Sequence, residues 1–193
     1  MSRINRLEQK VRDLYAQKNT NRAEWADWLA DNHVFIVADN ASVLAQRFGA
    51  NEELAKAAAL LHDIADATMS RFDENHEAES MKIARKFLQE CGYNDQEIVI
   101  VVDDAIRLHS CHDGNVPTTL EGKLLATADS LAHLQTDFYI YATWIMGKNT
   151  PLDEIKAWVL KKLERDFQNK ILFDEVKTEV QQNYEMLKEL FSR

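Results

Sequence analysis

Glycine and proline are scarce in this 193-residue chain, which has 5 of the first and 2 of the second. So few chain-breakers exclude collagen-like and Pro/Gly-rich disordered chains, and argue against sandwiches and barrels. Cysteine is also sparse. Cys91 and Cys111 cannot build a disulfide framework and lack the spacing of a zinc ribbon, which fits a reducing cytoplasm. No apolar run approaches the roughly 20 residues of a membrane span. The opening residues, MSRINRLEQKVRDLYAQK, lack the apolar centre of a secretory signal. Positive charge is in deficit: 23 Lys and Arg against 32 Asp and Glu give a formal net charge of −9. That balance offers no electrostatic footprint for gripping nucleic acid. What is present is 46% hydrophobic, enough for one domain with a substantial core. The expectation is an acidic, soluble, cytoplasmic protein with no membrane attachment.

Apolar residues recur at helical spacing from end to end. Ile4, Leu7, Val11, Leu14 and Tyr15 give an amphipathic helix over residues 3–17, interrupted by Asn19-Thr20-Asn21. A long helix is expected over 22–48, ending at Gly49. Asn51-Glu52-Glu53 has the form of a helix N-cap with acids in the first turn. The helix it opens, 53–67, carries the run AKAAALL and should be the buried centre. Helices are also expected over 75–91 and 95–110. The β-branched stretch Ile98–Val102 could pass for a strand, but no second strand candidate exists to pair with it. After the loop CHDGNVPT, a helix is expected over 119–146. Pro151 suits the first turn of another, and the last 40 or so residues read as amphipathic with a kink near Asn169–Lys170. The fold class is all-α, a single-domain helical bundle. Its parts are an N-terminal helix packing on the core (1–24), a central region (25–147) and a C-terminal helical extension of the same globular unit (148–193).

His62-Asp63 closes the apolar run ALLHDIAD. Both are costly to bury unless paired or coordinated, and a bound cation beside the helix lets adjacent residues converge. Imidazole with carboxylate suits Mn, Fe, Co, Ni or Zn better than Ca. Further candidates come from other helices: His33 in DNHVFIV, His76 in ENHEAES, His109 in AIRLHS and Asp129 in LLATADSLAHL. Each alone is ordinary. Together they are an unusual set for one bundle.

The order His33, His62-Asp63, Asp129, with ALLHDIAD around the pair, resembles the HD superfamily of metal-dependent phosphohydrolases over roughly residues 25–145. The resemblance implies an all-α HD-type bundle and an enzyme. It implies that His33, His62, Asp63 and Asp129 hold a divalent metal, Mn, Fe, Co, Ni, Zn or Mg. His76 and His109 fall where two-metal relatives place extra ligands, with Asp63 then bridging; in one-metal relatives they would line the pocket and bind phosphate. One or two ions per chain therefore stay open. Two-metal relatives often carry Lys four residues after the His, and one-metal nucleotidases Glu, where this chain has Asp66. Asp66 is a candidate catalytic acid or base beside Asp63, or a partner that orients other groups.

His112 reads as a solvated loop residue near the pocket mouth. His133 shares the face of Asp129 as a candidate partner, outside the implied set. Arg71, Arg107 and Lys123 read as exposed surface charges, and Trp25 and Trp28 as core. The expected function is hydrolysis of a phosphate ester or anhydride of a small metabolite, a nucleotide or dinucleoside polyphosphate. The alternative is a non-catalytic, metal-stabilised HD module that binds a ligand or partner. The expected partner is that small phosphate substrate, with no nucleic acid and no membrane; a homo-oligomer is open.

Overall fold

The computed structural model describes residues 1–193 and contains helices and no strands. Helix α1 (Arg3–Ala16) starts at Ser2, whose hydroxyl accepts from Asn5 N. α2 (26–48) joins Ala26–Leu29 to Phe35–Phe48 through a π-helical turn, Ala30–Val34. α3 (Glu52–Leu61) begins where Asn51 accepts from Leu54 N. A 3-10 turn (Ile64–Ala67) leads to α4 (His76–Cys91). α5 (95–108) opens with a capping box at Asn94 and Glu97 and widens to π geometry over Val99–Ile106. Then follow α6 (Leu120–Gln135), α7 (Phe138–Met146) and α8 (Leu152–Arg165) with a π segment, Asp166–Lys170. α9 (Asp174–Glu179) and α10 (Gln181–Ser192) complete the chain.

α3 is the centre of the bundle, packed against α2, α5 and α6. Its Ala55, Ala57, Ala58, Ala59, Leu60 and Leu61 are all buried. Small alanines let the neighbouring helices approach closely and leave little room for voids. One apolar cluster runs through every part of the chain, from Leu7 to Leu60, Leu125, Leu163 and Tyr184.

Three long helices expected from the periodicity are interrupted. The 22–48 helix starts at Ala26 and carries the π turn. The 53–67 helix stops at Leu61, and Asp63 leaves helical geometry at φ −120°, ψ 29°. Backbone groups around this break find tertiary partners: Ala65 N donates to Ser80 Oγ at 3.1 Å, and Ala23 N to Asp66 O at 2.9 Å. Such partners make the break affordable where a lone helix would continue. The 119–146 helix divides at Thr136, which is extended and turns its hydroxyl onto Ala132 O at 2.6 Å. The β-branched stretch is helical, and the C-terminal kink falls after Lys170, as expected. No helix is long and apolar enough to cross a membrane.

Candidate metal centre

Each irregularity in the helices delivers a polar side chain to one place. His33 comes from the π turn of α2, and His62 and Asp63 from the break after α3. Asp129 comes from mid-α6, and His109 from just beyond α5. His33, His62 and Asp129 are buried, and their ligand atoms lie within 4.8 Å of one another. His33 Nε2 stands 3.2 Å from Asp129 Oδ1, and His62 Nε2 stands 3.8 Å from the same oxygen and 3.4 Å from Asp63 Oδ2. These groups are close without being aligned as hydrogen bonds. His62 Nε2 and Asp129 Oδ1 are buried and unpaired, as is His33 Nδ1. Buried polar atoms are nearly always satisfied, so lone pairs gathered here fit a divalent cation.

The imidazoles are oriented for that task. His62 Nδ1 lies 2.7 Å from Ala59 O, and His109 Nδ1 lies 2.6 Å from Ile106 O. A ring nitrogen against a carbonyl must be the N–H donor, which leaves Nε2 with its lone pair. Burial lowers the His109 pKa to about 4, with Lys170 adding to the effect, so the ring is neutral at physiological pH. Burial likewise lowers His33. Asp63 and Asp129 are held well below the usual carboxylate range. Burial opposes this in both and is outweighed, by Arg71 and His62 at Asp63 and by His133 and Lys170 at Asp129.

His76 and Asp66 meet beside the triad. His76 Nε2 is 2.9 Å from Asp66 Oδ1. Asp66 is fully buried, and its oxygens are taken by His76 and Arg71; it lies behind these residues and not on the cavity wall. Arg71, expected at the surface, instead bonds the half-buried Asp63 and the fully buried Asp66, because two carboxylates this withdrawn from water need a positive partner. Arg107 is exposed, as expected.

Lys162, Asp166 and Lys170 of the C-terminal segment bear on the triad in a way that sequence reading missed. Lys170, buried, donates to Asp129 Oδ2. His133 stacks on His33 with ring centroids 4.9 Å apart, and its Nδ1 lies 2.9 Å from Asp166 Oδ2. Asp166 also accepts from Tyr139 OH at 2.6 Å and Lys162 Nζ at 2.7 Å. His133 is thus the expected partner of Asp129, at 3.3 Å. Burial pushes its pKa down to about 3. The signal available in the sequence was the four-residue spacing of Lys162, Asp166 and Lys170, which reads equally as a solvated charged face.

Above the triad opens a cavity of about 1050 Å³. Its walls include Trp25, Phe138, Ile145 and Met146, and the cations Arg71, Lys161, Lys162 and Arg165. Trp25 is buried, as expected, but also faces this cavity. Trp28 is half-buried and stacks on Tyr141 at 4.2 Å. His112 is exposed at the rim, 3.2 Å from Arg165 Nη1.

The model of the HD domain matches residues 30–134, more than half of the chain and all of the triad. The chain belongs to the HD domain family. The expected HD-type metal-dependent hydrolase is borne out at the level of the family, and HD domains bind divalent metals. Two solved structures share the fold across nearly the whole length. A predicted HD superfamily hydrolase from an uncultured Thermotogales bacterium has a TM-score of 0.60 at 21% identity, covering 100% of this chain and 91% of its own. YpgQ of Bacillus subtilis has a TM-score of 0.65 at 20% identity, covering 97% and 92%. Among curated proteins, Ribonuclease Y of Symbiobacterium thermophilum is 32% identical over 101 residues, and that of Rubrobacter xylanophilus 35% over 103. Each match takes in 52% of this chain and 17% of the relative, so likeness to Ribonuclease Y is confined to a small part of that enzyme.

Proposed function

We propose that this HD protein hydrolyses a phosphate ester or anhydride of a small metabolite, with a nucleotide as the favoured substrate. The observation that carries the reading is the buried triad His33, His62 and Asp129, with His62 Nε2 and Asp129 Oδ1 unpaired, beneath a cavity walled by both cations and aromatic groups. In this reading the triad and Asp63 hold a divalent ion, with His109 Nε2 and His76 the further candidates for ligation. A divalent ion held there would supply a Lewis acid to a phosphoryl oxygen and would lower the pKa of bound water towards neutrality. The protein's own groups do the rest. Lys161, Lys162 and Arg165 offset phosphate charge, which an acidic protein must provide locally. Trp25, Phe138 and Met146 offer an apolar wall to a base or similar ring. Asp66 acts through Arg71 and His76, fixing both, while Asp63 stays ionised beside the reacting centre.

The Ribonuclease Y matches support phosphate chemistry at the shared segment. A substrate of RNA size is not carried over, because the net charge of −9 disfavours a polyanion. The test is product release from a panel of nucleotides, an aryl phosphate and a short RNA, with Mn²⁺ or Co²⁺ supplied. Nucleotide turnover is expected, and Asp63→Ala should abolish it while helical circular dichroism survives. Activity on RNA alone would replace the small-molecule substrate. Metal-loaded protein inert on every phosphate compound would favour the non-catalytic module.

A further inference from the structure

The connection 68–75 between the 3-10 turn and α4 sends one side chain back over the metal centre. Arg71 Nη2 donates to Asp63 Oδ2 at 2.6 Å and to Asp66 Oδ2 at 2.5 Å, while its Nε donates to Asp66 Oδ1 at 3.1 Å. The guanidinium carbon lies 5.6 Å from the centroid of the Trp25 ring, within range of a cation–π contact. Nη1 is left without a protein partner. The side chain is 27% exposed and lines the cavity.

Asp63 is the pivot. Its Oδ2 stands 3.4 Å from His62 Nε2 on one side and 2.6 Å from Arg71 on the other. One carboxylate oxygen thus faces both the metal triad and a fixed cation. Of the other groups beside the triad, Asp66 Oδ1 takes both His76 and Arg71, while His109 Nε2 keeps its lone pair. The mutually close ligand atoms are those of His33, His62 and Asp129. A guanidinium is charged at every physiological pH and matches carboxylate and phosphate oxygens through paired N–H groups.

We propose that Arg71 takes the part of a second cation at this site: it neutralises Asp63 and Asp66, so that the chain holds one divalent ion, and it offers its free Nη1 edge to a phosphoryl group of the substrate. The proposal rests on the metal-dependent reading above and adds a phosphate-binding residue to it. Arg71 does the electrostatic work of a cation without the exchange and pH dependence of a bound ion.

The experiment is titration of the full-length, metal-stripped protein with Mn²⁺ alone, followed calorimetrically and by elemental analysis. It is followed by inorganic phosphate binding at one equivalent of Mn²⁺. The wild type should bind one ion per chain. Arg71→Ala releases Asp63 Oδ2 and Asp66 Oδ2 from their cation and should bind two. At one equivalent of Mn²⁺ its phosphate affinity should fall about 10- to 100-fold, the loss of one or two charge-assisted hydrogen bonds. Arg71→Lys, which keeps a charge between the carboxylates, should return the count to one. If Arg71→Ala does not fold, the ion counts of the wild type and Arg71→Lys decide. Two ions in either of these proteins, or failure of either change in folded Arg71→Ala, overturns the proposal. A wild type that binds no ion instead overturns the metal-dependent reading beneath it.

Discussion

Asp129 divides its two oxygens between different tasks: Oδ2 takes the Lys170 ammonium, and Oδ1 faces the imidazoles. Removing one partner of a buried ion pair strands the other, at about 3–5 kcal/mol. Lys170→Met should therefore destabilise the metal-free protein by about that much. Mn²⁺ would supply the missing positive charge, so it should raise the melting temperature of the variant more than that of the wild type. Equal shifts in thermal denaturation would count against this role for Lys170. The histidines impose a pH dependence as well. Burial depresses His133 to about 3 and His109 to about 4, whereas in the unfolded chain each takes up a proton near pH 6.5. Between those values the unfolded state binds more protons, so stability falls as pH drops below about 6.5. The slope approaches 1.4 kcal/mol per pH unit for each histidine that stays neutral. Urea midpoints of metal-free protein between pH 7.5 and 4.5 would check this; a flat profile would contradict it.

Among the elements, those framed by local signals were read from sequence almost to their ends. Asn51 caps α3, and Gly92, with φ +87°, closes α4 in the left-handed conformation that glycine adopts without strain. The breaks at 62–63 and 136 were not legible, because partners far along the chain serve both: a hydroxyl on Ser80 at the first, and at the second the Asn183 amide, which donates to Leu134 O at 3.3 Å and joins the local Thr136 hydroxyl on Ala132 O. The start of α6 is also fixed from afar. Asp104 accepts from the backbone and hydroxyl of both Thr118 and Thr119, pinning the loop ahead of the helix that carries Asp129. Gly122 fits beneath this clamp. A Cβ there would lie 2.6 Å from Pro117 Cβ and 2.7 Å from Asp104 Oδ2. Gly122→Ala should cost about 1–3 kcal/mol through overpacking, seen as a lower urea midpoint at unchanged slope. A gain in stability, as helix propensity alone would give, would refute that account.

At the scale of the whole molecule, the triad His33, His62 and Asp129 was legible because its residues sit in an ordered motif. The groups around it were not. Arg71, Lys162, Asp166 and Lys170 lie in polar stretches that look solvated, and only packing shows that most of their charge is buried. Three of these four lie beyond residue 134, where the family match ends. Truncation after residue 147 would remove them together with Ile155, Val159, Leu163 and Phe167 from the common core. The shortened chain should be poorly soluble or bind a hydrophobic dye strongly; a soluble, cooperatively melting 1–147 fragment would show that the extension is dispensable.

The three π segments, finally, have a consequence for how this protein can change. A π turn holds one residue more than the α turn it replaces. Deleting a single residue from 30–34 or 166–170 would let the helix close into its cheaper geometry, but would swing one flank by about 100° relative to the other. His33 in the first case, or Lys170 in the second, would then leave the centre. Selection for thermal stability alone should accumulate such one-residue deletions and yield sturdier bundles in which the candidate site no longer assembles. Chain length at these points, as much as residue identity, encodes the site.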